Sequence, residues 1–416
     1  MGDSRPRRLA WVVPGPLDQL TGGYLYDARI VRGLRARGHD VEVVQLAGGL
    51  SPLHVPAAVR MFLALGARRW SAVVVDELAH GAMLLGLPGF RLTAAGRSTP
   101  VVALVHHLRC SEPQPTLARR RAALIERAAL ALIDAAVCTS ASTAREVRRL
   151  VRSGLPIDIV TPGWDLHGEH VASRATNRNG TATVRERPQQ SDSTAPSRSR
   201  CSSGNDPEAG GLRLLTVAHW TPRKGLVETL RALALTPPGV HLDLVGDQDR
   251  DPAYTRRVWM ELRRPELTGR VRVHGRVSSE RLADLYRQAD ALALASTHEG
   301  YGMVLAEALA AGLPIVATRV GAIPEVVRDG LEAELVEAGD VAGLAGALTR
   351  LAHDPIERQR RSACARERAS SLPNWEESCA AFAAVLDRAI LARGGSRAAP
   401  ERAREHPSGG FRGDGL

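Results

Sequence analysis

The sequence predicts an α/β protein made of two doubly wound parallel-sheet domains that face each other across a cleft. Short apolar runs alternate with stretches of helical period twice over, once in residues 9–160 and again in 212–317. Between the two series lies a segment of Ser, Thr, Arg, Asn, Pro and Gly whose only bulky aliphatics are Val171 and Val184. Such a stretch buries too little apolar surface to offset the cost of ordering, so it reads as a disordered linker or insertion. A chain of 416 residues is long enough for each half to bury its own core.

Along the chain, the run 9–13 reads as a strand, and a Gly-rich turn ends at Gly22-Gly23. Tyr24, Ala28, Val31 and Leu34 then recur at helical spacing until Gly38 stops the helix. The runs 41–46, 72–75, 101–105, 135–138 and 157–160 are further short strands, most of them split by helical stretches. That pattern belongs to a parallel sheet covered on both faces. The turn residues Thr161-Pro162-Gly163-Trp164-Asp165 close this half. In the second half, strands are expected at 212–218, 242–245, 271–273, 291–294 and 314–317, with helices between and after them to about Arg393. The expected organisation is a first domain 1–166, a linker 167–211, a second domain 212–373, a last helix 374–394 and a frayed tail 395–416.

Composition narrows the setting. At 44% hydrophobic and 24% charged, the chain is an ordinary globular one. Five scattered cysteines without a Cys-x-x-Cys pair exclude a disulfide framework or a recognisable zinc site, and they fit a reducing compartment. The apolar run behind the basic Arg5 to Arg8 is too short for a signal peptide, and nothing approaches the ~18 apolar residues of a membrane span. The expected location is cytoplasmic, with the inner membrane surface as a peripheral address. Between Leu117 and Arg152 eight arginines face three acids, on segments with helical apolar spacing at Leu117, Ala118, Ala122, Ile125 and Ala129. This surface suits either weak contact with an anionic membrane or a plain solvated helix face. Nucleic acid is not expected, because aromatics make up 4% and none interleave with the basic run.

The chain contains a single lysine, Lys224, although Lys and Arg together number 55. It stands in His219-Trp220-Thr221-Pro222-Arg223-Lys224-Gly225, where a strand opens into a loop that feeds a helix near Leu226. An arginine-biased composition can leave one lysine by accident, but a compact ammonium at a helix N-terminus is also what a phosphate needs. Gly22-Gly23 forms a similar, weaker nest in the first half, where a plain turn is the commoner meaning. After the strand 291–294 comes Ser296-Thr297-His298-Glu299-Gly300-Tyr301-Gly302, and the helix behind it carries Glu307. Two carboxylates at that spacing invite a glycosidase reading. Sharing a cleft with phosphate binders, they are better read as acceptors for sugar and ribose hydroxyls.

These residues, with Glu307-Ala308-Leu309-Ala310-Ala311-Gly312-Leu313-Pro314 and Val320-Gly321-Ala322-Ile323-Pro324-Glu325 behind them, resemble family 4 of the retaining glycosyltransferases. The resemblance runs from Gly22-Gly23 to the helix around Trp375. It implies two Rossmann-like domains of the glycosyltransferase B type, with a nucleotide-sugar donor held mostly by the second domain and the acceptor by the first. It implies that Lys224 binds the donor diphosphate, that Glu299 contacts sugar hydroxyls and that Glu307 accepts from the ribose. Gly23 would sit against the phosphates, with Gly22 beside it, and the backbone at Gly302, Met303 and Val304 against the sugar or diphosphate. His106 matches a histidine near the transferred sugar. The catalytic set expected is therefore His106, Lys224 and Glu299, and the donor set adds His219, Arg223, Gly300 and Tyr301. Of His106 and His107, strand alternation lets only one face the cleft. The implied last helix crosses back onto the first domain.

Two departures stand out. His219 occupies a position where the family usually has arginine, and Arg319 one where it often has Asp or Asn, adding positive charge near the cleft. The reaction expected is transfer of a hexose-type sugar from a UDP- or GDP-sugar to an acceptor hydroxyl, with retention. No residue stands out as a covalent nucleophile, so front-side displacement is favoured. No cofactor is expected, the nucleotide-sugar being a substrate, and no catalytic metal. The rivals are a nucleotide-sugar epimerase on the same fold, a phosphorylase using Lys224 to hold pyridoxal phosphate, and a non-catalytic nucleotide-sugar-binding protein. The acceptor, whether lipid, glycan or small molecule, would lie around residues 22–26, 54–70 and 113–117. The segment 59–65 reads as a core helix, or alternatively as a lipid-facing mouth.

Overall fold

In the computed structural model, residues 6–19, 21–46, 55–151, 154–164 and 211–395 are described. The expected linker 167–210, the tail from 396 and position 54 lie outside them. The first half is a six-stranded sheet of β1 (Arg8–Val13), β2 (Asp40–Gln45), β3 (Ala72–Asp76), β4 (Val101–Val105), β5 (Ala135–Cys138) and β6 (Ile157–Ile159). Its order is β2-β1-β3-β4-β5-β6, with every pairing parallel. The second half has β7 (Leu212–Val217), β8 (Val240–Val245), β9 (Val271–Gly275), β10 (Ala291–Leu294), β11 (Ile315–Thr318) and β12 (Ala333–Val336). Their order is β12-β11-β10-β7-β8-β9, again parallel throughout.

The strands β3, β4, β5 and β10 are buried at every position, which is why they read as unbroken apolar runs rather than as alternating ones. β12 has no counterpart among the expected strands. It is four residues long and carries Glu334, half-buried at the sheet edge and ion-paired to Arg361 at 3.3 Å, so its hydrophobic signal is broken. In both sheets the strand order reverses beside the first strand of the half. The crevice at that reversal, outside the carboxyl ends of the strands, is where such sheets place a ligand.

The first sheet is covered on one face by the helices Val55–Gly66 and His80–Leu92, through Met61, Leu65, Met83, Leu87 and Phe90. On the other face Leu9, Trp11 and Val13 meet Tyr26, Ile30 and Leu34 of the helix Gly22–Ala36. The last helix, Trp375–Gly395, completes this second layer rather than the sheet nearest to it in sequence. Its Cys379, Phe382, Val385, Leu386 and Ala389 are buried there, with the Phe382 ring 5.3 Å from that of Trp11.

The helix Val55–Gly66 is core along one face. Ala57, Ala58, Met61 and Leu65 are core, while Val55, Val59, Phe62 and Leu63 are exposed. Leu117 and Leu124, on the helix Thr116–Leu130, are exposed as well, so the apolar spacing that begins at Leu117 does not all face inward. No described helix is long and apolar enough to cross a membrane.

Phe382→Ala removes a fully buried ring from the layer that ties the last helix to the first domain. It should cost about 3–5 kcal/mol, read as a lowered urea midpoint of the first domain.

Candidate active site

The carboxyl ends of β1, β3, β4, β7 and β10 open onto a cleft of about 880 Å³ between the two domains. Gly22, Gly23, His106, His219, Arg223, Lys224, Glu299, Gly300, Tyr301, Gly302, Met303, Val304 and Glu307 all line it. Residues expected from the sequence to serve one ligand therefore do share one cavity.

At its centre the Lys224 ammonium donates to Glu299 Oε2 at 2.6 Å, and Ser296 Oγ donates to the same oxygen at 3.3 Å. The two chain positions meet because β7 and β10 are neighbours, so the loops leaving them run side by side. Gly225 makes this approach possible. It has φ +62°, and a Cβ there would lie 1.9 Å from the Ala295 carbonyl oxygen. Burial alone would raise the Glu299 pKa, but Lys224 and Arg223 overrule it and hold the carboxyl at about 2. Burial also keeps Lys224 below the ordinary lysine value, because Glu299 opposes it only in part and Arg223 adds to it.

Arg223 bridges the domains. Its Nε lies 3.3 Å from Glu112 Oε1 of the first domain, and its Nη1 donates to the His298 carbonyl at 3.2 Å. Glu112 also meets His107 Nε2 at 3.0 Å. Burial would raise the Glu112 pKa, yet His107, Arg223 and His298 together bring it below the usual value. The domains also approach closely at Gly300, where a Cβ would lie 2.2 Å from the His106 carbonyl oxygen. Glu307 accepts from the Tyr286 hydroxyl at 2.7 Å, which holds it on the cleft-facing side of the helix Met303–Ala310. Gly302 precedes that helix with φ +88°, and the first amides of a helix have no intrahelical acceptors.

Two expectations need correction. His106 and His107 both line the cleft, because they follow the last residue of β4 and are no longer bound by strand alternation. Arg319 does not face the cleft. It is paired with Asp329 and reaches towards Glu337 at 3.6 Å, on the far side of β11 and β12.

The structure also brings in residues that sequence reasoning passed over. Asp76 and Glu77, directly after the β3 run, line the first-domain wall of the cleft. His106 Nε2 lies 3.3 Å from Asp27 Oδ1 and 3.7 Å from Asp76 Oδ2, and Glu77 Oε2 accepts from the His106 backbone N–H at 3.1 Å. Burial raises all three carboxyls, Asp27 to about 7 against the opposing pull of Asp76 and the Trp11 indole, Asp76 and Glu77 well above the usual range. Asp27, Asp76 and His106 have ligand atoms close enough together to hold a metal ion. A signal existed: Asp27 falls on the apolar stripe of its helix between Tyr24, Ile30 and Val31, where an acid is out of place. On the second domain, Asp247 holds two further cleft cations, Arg250 at 3.0 Å and Arg276 at 2.9 Å.

Comparison with known proteins agrees with this geometry. Residues 26–168 match the family described as Glycosyltransferase Family 4, and 211–354 match Glycosyl transferases group 1. The D-inositol 3-phosphate glycosyltransferase of Xylanimonas cellulosilytica is 30% identical over 91% of this chain and 95% of its own length. Among solved structures, sucrose-phosphate synthase from Thermosynechococcus elongatus superposes with a TM-score of 0.72 at 21% identity, covering 93% of this chain and all of that one. The Anabaena protein HepE, in complex with UDP-glucose, gives 0.66 at 18% identity over 94% of this chain and all of its own. Fold and cleft define a two-domain glycosyltransferase of the B type. The chain belongs to glycosyltransferase family 4.

Two buried histidines give a pH prediction. Burial lowers His80 to about 4 and is the leading cause of the same value at His298. A histidine depressed on folding contributes stability that is full above its unfolded value near 6.5 and fades as the pH falls towards 4. Asp27, Asp76 and Glu77, raised on folding, act in the opposite sense over much of that window. The difference between proteins therefore isolates the histidine. Melting temperature should fall less steeply from pH 6.5 to 4 in His80→Gln than in the wild type, by up to about 3 kcal/mol in stability.

Proposed function

We propose that this glycosyltransferase moves a hexose-type sugar from a nucleotide-diphosphate donor to an acceptor hydroxyl, with retention at the anomeric carbon. The observation that carries the reading is the buried Lys224–Glu299 pair at the meeting of both domains. Lys224 offers three N–H donors to the diphosphate, and Glu299 is held ionised as an acceptor for sugar hydroxyls. Glu307 takes the ribose hydroxyls, and the helix N-terminus at Gly302, Met303 and Val304 offers amides and partial positive charge. The UDP-glucose complex of HepE and the glycosyltransferase name of the Xylanimonas relative support a nucleotide-sugar donor, with UDP- and GDP-sugars as the candidates to test.

In this reading the leaving diphosphate is stabilised by Lys224, with Arg223 near it, and takes the proton of the attacking hydroxyl on the same face. Charge develops between fixed protein dipoles, and closure across Arg223–Glu112 and Gly300–His106 excludes water. Neutralisation of the diphosphate by these side chains needs no metal and no cofactor. His106 faces the transferred sugar, and the first domain receives the acceptor. The exposed Val55, Val59, Phe62 and Leu63, with the arginines of the helix Thr116–Leu130, offer surface for weak contact with an anionic membrane.

Calorimetric titration with UDP, GDP, ADP and dTDP in the presence of chelator tests the donor site. One nucleotide should bind, and Lys224→Ala should weaken it at least tenfold. Binding of none would remove the nucleotide-sugar reading. In a turnover assay with the donor so identified, Glu299→Gln should lower kcat by about 100-fold or more, the scale of losing one charge-stabilising contact.

A further inference from the structure

The two walls of the cleft differ in their cations. The second domain brings four to its lining, Arg223, Lys224, Arg250 and Arg276, which suit a diphosphate and stand among four acids, Asp247, Asp249, Glu299 and Glu307. Among the described residues, the first domain brings no lysine or arginine to the lining; its charged contributions are Asp18, Asp76 and Glu77, with His106 and His107.

Asp76 and Glu77 are 2% and 4% exposed, and Asp27 behind them is wholly buried. Asp76 spends Oδ1 on the Leu78 backbone N–H and Glu77 spends Oε2 on that of His106. Among the described residues, the side-chain groups of opposite sign within 4 Å of the three carboxylates are the two imidazoles, His106 at 3.3 and 3.7 Å and His107 at 3.8 Å from Glu77. Even with both imidazoles charged, three carboxylates leave one negative charge over. Asp27 Oδ2, in addition, has no partner in hydrogen-bond geometry. A buried group of this kind is costly while empty, and its charge is made good when a cation arrives.

Resting on the glycosyltransferase reading above, we propose that the acceptor is a nitrogenous polyol whose ammonium docks on Asp76 and Glu77 beside His106, rather than a phosphorylated one. The carboxylates orient the acceptor by its charged nitrogen and leave a neighbouring hydroxyl towards the donor. A phosphate placed against the same wall would meet three acids with no guanidinium or ammonium to offset them. This separates the chain from its inositol-phosphate relative in acceptor class, while the donor half keeps the phosphate-binding cations.

The test uses the whole protein saturated with the nucleotide that it binds. An inosamine (an inositol with one hydroxyl replaced by an amine), the parent inositol and inositol 3-phosphate are titrated by calorimetry. The inosamine should bind at least tenfold more tightly than inositol, with the phosphate weakest. In Asp76→Asn/Glu77→Gln the preference for the amine should fall to within twofold, while the nucleotide Kd stays within twofold. Phosphate binding tightest, or amine binding no tighter than inositol or undetectable in the wild type, would overturn the inference and leave the transferase reading standing. Manganese or zinc bound at one equivalent by the wild type and lost in Asp27→Asn would also overturn it, by giving the carboxylates to a metal. Absence of nucleotide binding in the wild type is a distinct result: it removes the transferase reading and the inference with it.

Discussion

The buried ion pair between Lys224 and Glu299 is the constraint around which the second domain's half of the cleft is arranged. Two opposite charges shut away from water are tolerable only with close geometry and further hydrogen bonds. Both conditions are met here by fold: β7 and β10 are neighbours, Gly225 lets the loop after β7 lie against Ala295, and Ser296 adds a donor to Glu299. The same pair holds an ammonium and an ionised carboxylate ready at one place. Neither group has to be reorganised when a charged ligand enters, which is the condition under which electrostatic stabilisation is most effective.

The cleft cations of the second domain are each paired with an acid. Asp247 pairs with Arg250 and, together with Asp249, with Arg276; Glu299 pairs with Lys224, and Glu112 meets Arg223 across the cleft. Among the described residues, Asp27, Asp76 and Glu77 have imidazoles as their partners of opposite sign within 4 Å. Three buried acids beside two imidazoles are a costly arrangement, and two of them, Asp76 and Glu77, lie on the first-domain wall of the cleft.

Closure depends on contacts that have little to do with charge. Gly300 admits the His106 carbonyl, Thr143 Oγ1 donates to that carbonyl at 3.2 Å, and Glu325 accepts from the Ala141 N–H at 2.8 Å. The last helix works differently: it leaves the second domain and spends its apolar face on Trp11 and Leu34 of the first. The chain therefore crosses between the domains again at the C-terminal end of the second one. Just before it does so, an isolated backbone bridge joins Trp164 to Asn374.

Most of both sheets was legible in the sequence, because strands buried on both faces are continuous apolar runs and the turns between them are marked by Gly and Pro. β12 was not, since an edge strand with Glu334 in it has no such run. Lys224 and Glu299 were legible as candidates because each stands in a loop that follows a strand, and Glu307 because it lies on the helix that this second loop opens. Their convergence on one cavity was not, and neither was the pairing of Arg223 with Glu112 or the placing of both His106 and His107 in the cleft. Those depend on which strands lie side by side and how two domains meet. Arg319 shows the converse: a cation near the motif in sequence is drawn off by Asp329 on the neighbouring turn. The sequence by itself determined the strands, the helices and the chemistry each loop carries, because these follow from short-range periodicity and residue type. Only the tertiary structure decided which charges are paired and which are left over, because that balance is set by neighbours tens of residues away in the chain and a few ångströms away in space.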